Sequence, residues 1–423
     1  MRATTKPPAV LLGGSDTALS VARALGRNRV PVDVLGDGLW DSAARTSRFC
    51  RYVPFPPTLD VQGPWLEHLL QGVPPSVLLP CSDDGVELVA RHRAELVTAG
   101  HVPPEADDDV LLAMLDKEET YRRARAVGVP VPATTVIRSR VDLERVLDQG
   151  PSYPCGLKPL RSDVLQRRLP GVPKPKGSVL HDDDELVSAV EPAMRSGLPM
   201  IMTEIVAGGD DRYCSYYSYL DEDGLPLLHF TKRKLRQQPP GFGLGTYHLT
   251  QWLPDVAEMG LRLFQGLGLR GIGNVEFKKD GNDGLLKLIE CNPRFTMANS
   301  LVRRAGIDLA LVAYNRVTGA PLPRLAPARD GLAMWYPYDD LRALRDYRRS
   351  GELSVASWLA TLAHRQHPPF FVWHDPMPTL ARLSERARLT LDSPRWKMRQ
   401  AHDPDAARAA ASQPVPARSP SAD

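Results

Sequence analysis

A chain of 423 residues exceeds the size at which one hydrophobic core keeps growing, so two to four packed units with a cleft between them are expected. Its 43% hydrophobic and 24% charged content is that of a soluble globular protein, and a net charge of +3 with no long Lys/Arg block argues against nucleic-acid binding. Five scattered cysteines without a CxxC pair, and apolar stretches too short for a secretion signal or a membrane span, argue against a disulfide scaffold, a zinc site and a membrane protein; a cytoplasmic enzyme is expected.

The run Ala9 to Leu12, then Gly13, Gly14, Ser15 and Asp16, then Ala18, Val21, Ala22 and Leu25 at helical spacing, reads as strand, turn, helix. Val30 to Leu35 and Val77 to Leu79 repeat the strand signal, the second leading through Cys81, Ser82, Asp83 and Asp84 into the helix VELVARHRAEL. The alternation predicts a parallel, doubly wound sheet over roughly the first hundred residues. GGSDTA lacks the third glycine of a dinucleotide fingerprint, so a tight turn with Asp16 or Ser15 as helix cap is the favoured reading. For Ser82 and Asp83, helix capping and substrate binding at the sheet edge remain equally open.

Beyond the acidic segment Glu105 to Asp109 come a helix, a charged turn with Lys117, and a second helix stopped by Gly128. A strand over Ser152 to Pro159 bears Lys158, and the Pro-, Arg- and Lys-rich stretch Arg161 to Gly177 is expected to be a mobile loop. A helix over Asp184 to Ser196 and the strand PMIMTEIV lead into Gly208 and Gly209. Strand-like runs Tyr213 to Tyr219 and Leu225 to Phe230 follow, then the basic TKRKLRQQPPGFGLGT and a helix over Val256 to Leu267.

GIGNVEFKKDGNDGLLKLIECNPRF carries the most chemistry. Asp280 to Gly284 is a strong turn between two strand-like runs, hence a hairpin. An even register across that turn puts Glu276 and Glu290 on one face, directly opposite or diagonal, and Asn292, two residues beyond Glu290, points the same way. Two buried carboxylates repel unless a cation sits between them, and Mg²⁺, which takes oxygen ligands and shares its shell with phosphates, fits that need. An exposed hairpin face with solvated charges is the bland alternative. Arg294 can point toward the same phosphates. Past Asp330 the chain reads as helices with one extended segment, HPPFFVWHDPMP; these helices either pack on the core or form a homodimer interface, and the stretch after about Ala401 is expected to be disordered.

NVEFK followed by IECNPRF resembles the metal-binding signature of the ATP-grasp superfamily, with Lys117, Lys158 and TEIVAGGDD upstream in the order that fold requires. HFTKRKLRQQPPGFGLGT and SLVRRAGIDLALVAYNRVTG are similar to carboxylate–amine ligases related to D-aspartate ligase and to predicted ATP-dependent carboligases. The resemblance implies an α/β fold: a Rossmann-like parallel-sheet domain over residues 1–105, an ATP-grasp module of two α+β subdomains over 106–205 and 206–328, a helical extension over 329–400 and a tail over 401–423. It implies ATP as nucleotide and Mg²⁺, or Mn²⁺ in its place, held by Glu276, Glu290 and Asn292. Lys117 and Lys158 would contact phosphates, Glu204 and the backbone of Ile205, Val206 and Ala207 the adenine, and Asp211 the ribose. Lys234, Arg236 and Arg294 are the expected catalytic cations. The implied reaction joins a small carboxylic acid to an amine through an acyl phosphate; an ATP-binding sensor or scaffold with lost catalysis is the alternative. A glycine-rich lid is usual in the superfamily, whereas Arg161 to Gly177 offers Arg167, Arg168, Lys174 and Lys176 instead.

Overall fold

The computed structural model describes residues 6–13, 16–36, 42–55, 61–161 and 177–385. Strands β1 (Ala9–Leu12), β2 (Val32–Leu35), β3 (Arg51–Val53) and β4 (Val77–Pro80) form a parallel sheet in the order β3-β2-β1-β4. All four residues of β1 and of β4 are buried, as expected of strands covered on both faces, which read as continuous apolar runs. Ser82 caps the helix Asp83–Thr98 by accepting from the Gly85 amide at 3.2 Å, which decides its capping role and sets Asp83 at the sheet's carboxyl edge.

A second sheet, antiparallel and ordered β5-β8-β6-β7, comprises β5 (Thr134–Ile137), β6 (Cys155–Pro159), β7 (Ser178–Leu180) and β8 (Met200–Glu204). The third runs β13-β12-β9-β10-β11-β14-β15, from β9 (Tyr213–Leu220), β10 (Pro226–Gln238), β11 (Leu244–Thr250), β12 (Gly271–Lys279), β13 (Leu286–Asn292), β14 (Leu332–Trp335) and β15 (Arg365–His367). β14 and β15 depart from the helical reading of the C-terminal part. Helices Pro337–Arg349 and Val355–Thr361 form there as expected, but LAMW carries enough apolar surface to extend the large sheet beside β11 before the first of them begins. Among the described residues, no helix is long and apolar enough to cross a membrane.

The large sheet is packed on both sides. Tyr216, Val275, Phe277 and Leu288 meet the helix Pro254–Gly266 in one core, while Tyr217, Tyr219 and Phe230 join the helices Asn299–Ala305 and Leu309–Thr318 and the first sheet in another. The polar ends of β12 and β13 thus open between the two smaller sheets.

Candidate active site

The hairpin β12–β13 sets the site. Near its turn Lys279 faces Leu286, Lys278 faces Lys287 and Phe277 faces Leu288, an odd register; farther on, Glu276 faces Glu290 and Asn274 faces Asn292. Ile289 is the extra residue of a β-bulge, and its carbonyl accepts from the Tyr121 hydroxyl at 2.9 Å. The two glutamates are therefore directly opposed, but by an odd register corrected by a bulge rather than by an even register throughout. Asn292 Nδ2 donates to Asn274 Oδ1 at 3.2 Å, leaving the Asn292 amide oxygen as an acceptor.

Cations surround this pair. Lys234 on β10 donates to Glu276 Oε1 at 2.8 Å, with its ammonium 3.9 Å from the centre of the Tyr213 ring and its side chain only 7% exposed. Lys158 on β6 lies 5.1 Å from the Phe242 ring centre; burial and the neighbouring Lys117 push its ammonium down to about 8, against the pull of Glu290 and Glu276. Lys117 stands at the start of the helix Lys117–Ala126, where Asp116 caps the amides of Glu118 and Glu119, and donates to the carbonyls of Pro159 and Leu160. Arg294 donates to Asp83 Oδ1 at 2.6 Å; that carboxylate and Glu290 hold its charge in place, its pKa raised despite burial. Asp83, Lys117, Tyr121, Glu290 and Asn292 line one small pocket that opens to solvent.

The segment expected to act as a hinge closes β8 and follows it. Glu204 ends β8, its carboxylate accepting from Lys287 Nζ at 2.6 Å and from the Ala133 amide at 3.0 Å. The Val206 carbonyl accepts from Lys278 Nζ at 2.9 Å and that of Ala207 from the Gly281 amide at 3.1 Å, while Ile205, between Glu204 and Val206, is half-buried. Asp211 has its side chain 64% exposed; its neighbour Asp210 is buried.

Arg236 is not brought to this cluster. Its guanidinium, 4% exposed, forms a two-pronged pair with Asp340 at 2.8 and 2.9 Å and stacks on Tyr247 at 4.3 Å, because a register shift in β10 after Lys234 turns it toward the C-terminal helix. The lid cations Arg167, Arg168, Lys174 and Lys176, and the expected tail beyond Ala401, lie outside the described residues. Sequence reasoning missed Asn274 and Lys278, which period-two alternation from Glu276 would have found. Within the basic run it did not single out Lys232, buried beside Ser215 and His248, and it missed Lys287, whose link to Glu204 carries no local signal.

Two carboxylates and one amide oxygen are the hard donors that Mg²⁺ takes. Among the described residues no three His, Cys, Asp or Glu side chains gather as a complete metal site, and Lys234 already neutralises Glu276. The residues thus fit an ion that arrives with phosphate oxygens rather than a permanently caged one.

No protein-family model matches the chain, and no curated protein matches its sequence. Solved structures match its fold. An L-amino acid ligase from Bacillus licheniformis superposes with a TM-score of 0.60 at 14% identity, over 78% of this chain and 80% of that one. N5-carboxyaminoimidazole ribonucleotide synthetase from Thermus thermophilus gives 0.56 at 18% identity, over 76% and 81%. The biotin carboxylase domain of Hydrogenobacter thermophilus 2-oxoglutarate carboxylase, in complex with MgADP, ADP and bicarbonate, gives 0.58 at 16% identity, over 78% and 73%. At these identities the likeness is one of fold, and the fold is ATP-grasp, as the sequence motifs had implied.

Proposed function

Starting from the ATP-grasp fold, we propose that this chain is an ATP-dependent ligase that activates a small carboxylic acid as an acyl phosphate and transfers the acyl group to an amine. The observation that carries the reading is the opposition of Glu276, neutralised by Lys234, and Glu290, which lines a pocket with Lys117 and with Asp83, the partner of Arg294. Such a constellation suits phosphoryl transfer, where positioning and charge neutralisation do most of the work and no protein nucleophile is needed.

In this mechanism Glu204 and the backbone of residues 205–207 seat the adenine, Asp211 the ribose, and Lys117 and Lys158 the phosphates. Glu276, Glu290 and Asn292 would hold Mg²⁺, which supplies Lewis-acid neutralisation of the phosphate oxygens. The substrate carboxylate attacks the γ-phosphorus and ADP leaves; Lys234 and Arg294 offset the charge gathering on the transferred group. The amine then displaces phosphate from the acyl carbon, losing its proton as the C–N bond forms. Arg236 has no part in these steps, since its fork is filled by Asp340.

The test is ADP release measured against a panel of amino acids and amines. Release should require both an acid and an amine, and Glu290→Gln should lower turnover by at least about a hundredfold. Equal ADP release without any acid sinks the ligase; nucleotide binding with no turnover across the panel favours the sensor or scaffold instead.

A further inference from the structure

The helix Pro337–Arg349 reaches the paired glutamates through side chains that the proposed chemistry does not use. Tyr347, 4% exposed, donates its hydroxyl to Asp210 Oδ2 at 2.6 Å, and the same oxygen accepts the Gly241 amide at 2.8 Å. Gly241, at φ +85°, returns its carbonyl to the Tyr213 hydroxyl at 3.3 Å. The Tyr213 ring in turn supports the Lys234 ammonium that binds Glu276.

A second set of contacts holds the same hairpin. The Tyr347 hydroxyl accepts the Gln237 amide at 3.1 Å, Asp346 accepts Gln238 Nε2 at 3.0 Å, and Asp340 takes the fork of Arg236. The tip they fix carries Phe242, whose ring packs where Gly156 and Gly177 have no side chain and lies beside Lys158 on the other sheet. Three consecutive residues of β10, 236–238, are thus tied to one helix, and the tip beyond them meets Lys158 directly through Phe242 and Lys234 indirectly through Tyr213.

We infer that this C-terminal helix is a brace for the nucleotide side of the site, with Tyr347 as its positioning residue: through Asp210 and the 239–243 turn it sets where Lys234 and Lys158 stand. Tyr347 contacts no reacting atom. Its hydroxyl accepts the Gln237 amide and holds the Asp210 carboxylate that accepts the Gly241 amide, and losing it lets the turn sample positions in which the lysines no longer converge, so anion affinity falls without loss of the fold. The inference rests on the nucleotide-binding reading.

The experiment compares the native protein with Tyr347→Phe, which keeps the ring and removes the hydroxyl, and with Tyr314→Phe, which removes a similar hydroxyl bond from the helix Leu309–Thr318 to Pro7, just before β1. The readouts are thermal midpoint, amide hydrogen exchange and MgADP affinity by calorimetry. In Tyr347→Phe exchange at Gln237 and Gly241 should rise about tenfold and MgADP should bind about five- to tenfold more weakly, with the midpoint within a few degrees of native. Tyr314→Phe should bind MgADP as the native protein does. Unchanged affinity in folded Tyr347→Phe, or equal weakening in Tyr314→Phe, overturns the brace while leaving the ligase reading intact. A native protein that does not bind MgADP at all overturns both.

Discussion

Lys158 and Lys232 share an unusual electrostatic position: each is a lysine whose ammonium is pushed down to about 8, chiefly by burial. For Lys232 the nearest partners are neutral, Ser215 Oγ at 3.1 Å and His248 Nδ1 at 3.2 Å, and burial drives His248 itself well below its usual range. Between about pH 8 and the ordinary 10.5 the unfolded chain holds protons that the folded lysines have released, so these two groups favour folding more as pH rises through that window and oppose it below about 8. Anion binding runs the other way, because Lys158 attracts phosphate only when charged. Affinity for MgADP should therefore fall above about pH 8, by up to about tenfold per pH unit, and Lys158→Met should bind weakly with a flatter profile. Calorimetric titrations from about pH 7 to about 9.5 check this; a native profile as flat as that of the variant removes Lys158 from the phosphate site.

At the scale of elements, two hairpins do the positioning, and each depends on a local irregularity. The β10–β11 tip folds so tightly that a Cβ on Gly243 would lie 2.1 Å from the Gln238 carbonyl carbon and 2.2 Å from the Pro239 oxygen, both backbone atoms that cannot move aside cheaply. Gly243→Ala should cost about 1–3 kcal/mol in urea unfolding and lift Phe242 from Lys158; a midpoint unchanged from native would mean the tip is not as close-packed as it stands. The β12–β13 hairpin shows how far the sequence was legible. Alternation put Glu276, Glu290 and Asn292 on one face, and the turn residues Asp280 to Gly284 marked the hairpin. The bulge at Ile289 carried no sign, since an apolar β-branched residue in a strand looks the same whether it pairs or bulges. β14 was missed for a similar reason: a four-residue apolar run beside a long helical pattern has too little periodicity to declare itself.

Across the whole molecule, charged side chains tie distant segments together: Arg294 to Asp83 of the first sheet's edge, Arg23 to Asp375, and Arg236 to Asp340. Arg236 looked catalytic in sequence because a basic run before a Pro-Pro-Gly-Phe-Gly loop suits an anion, and nothing local announces a partner 104 residues away. Asp340 is wholly buried and accepts from Arg236, Thr246, Trp335 and Trp358, so its charge is compensated by one guanidinium and its remaining lone pairs by neutral donors. Removing one partner of such a pair strands the other: Asp340→Leu should cost about 3–5 kcal/mol, because the Arg236 cation stays buried without an anion. Replacing both, Arg236→Met with Asp340→Leu, removes the stranded charge and should recover part of that loss in urea unfolding. A double variant no more stable than Asp340→Leu shows that the pair is not the interaction being lost. The same double variant decides the role of Arg236: if it recovers stability and still releases ADP with acid and amine, the guanidinium joins the C-terminal helix to the sheet and takes no part in phosphoryl transfer, whereas a stable but inactive double variant returns it to the reaction.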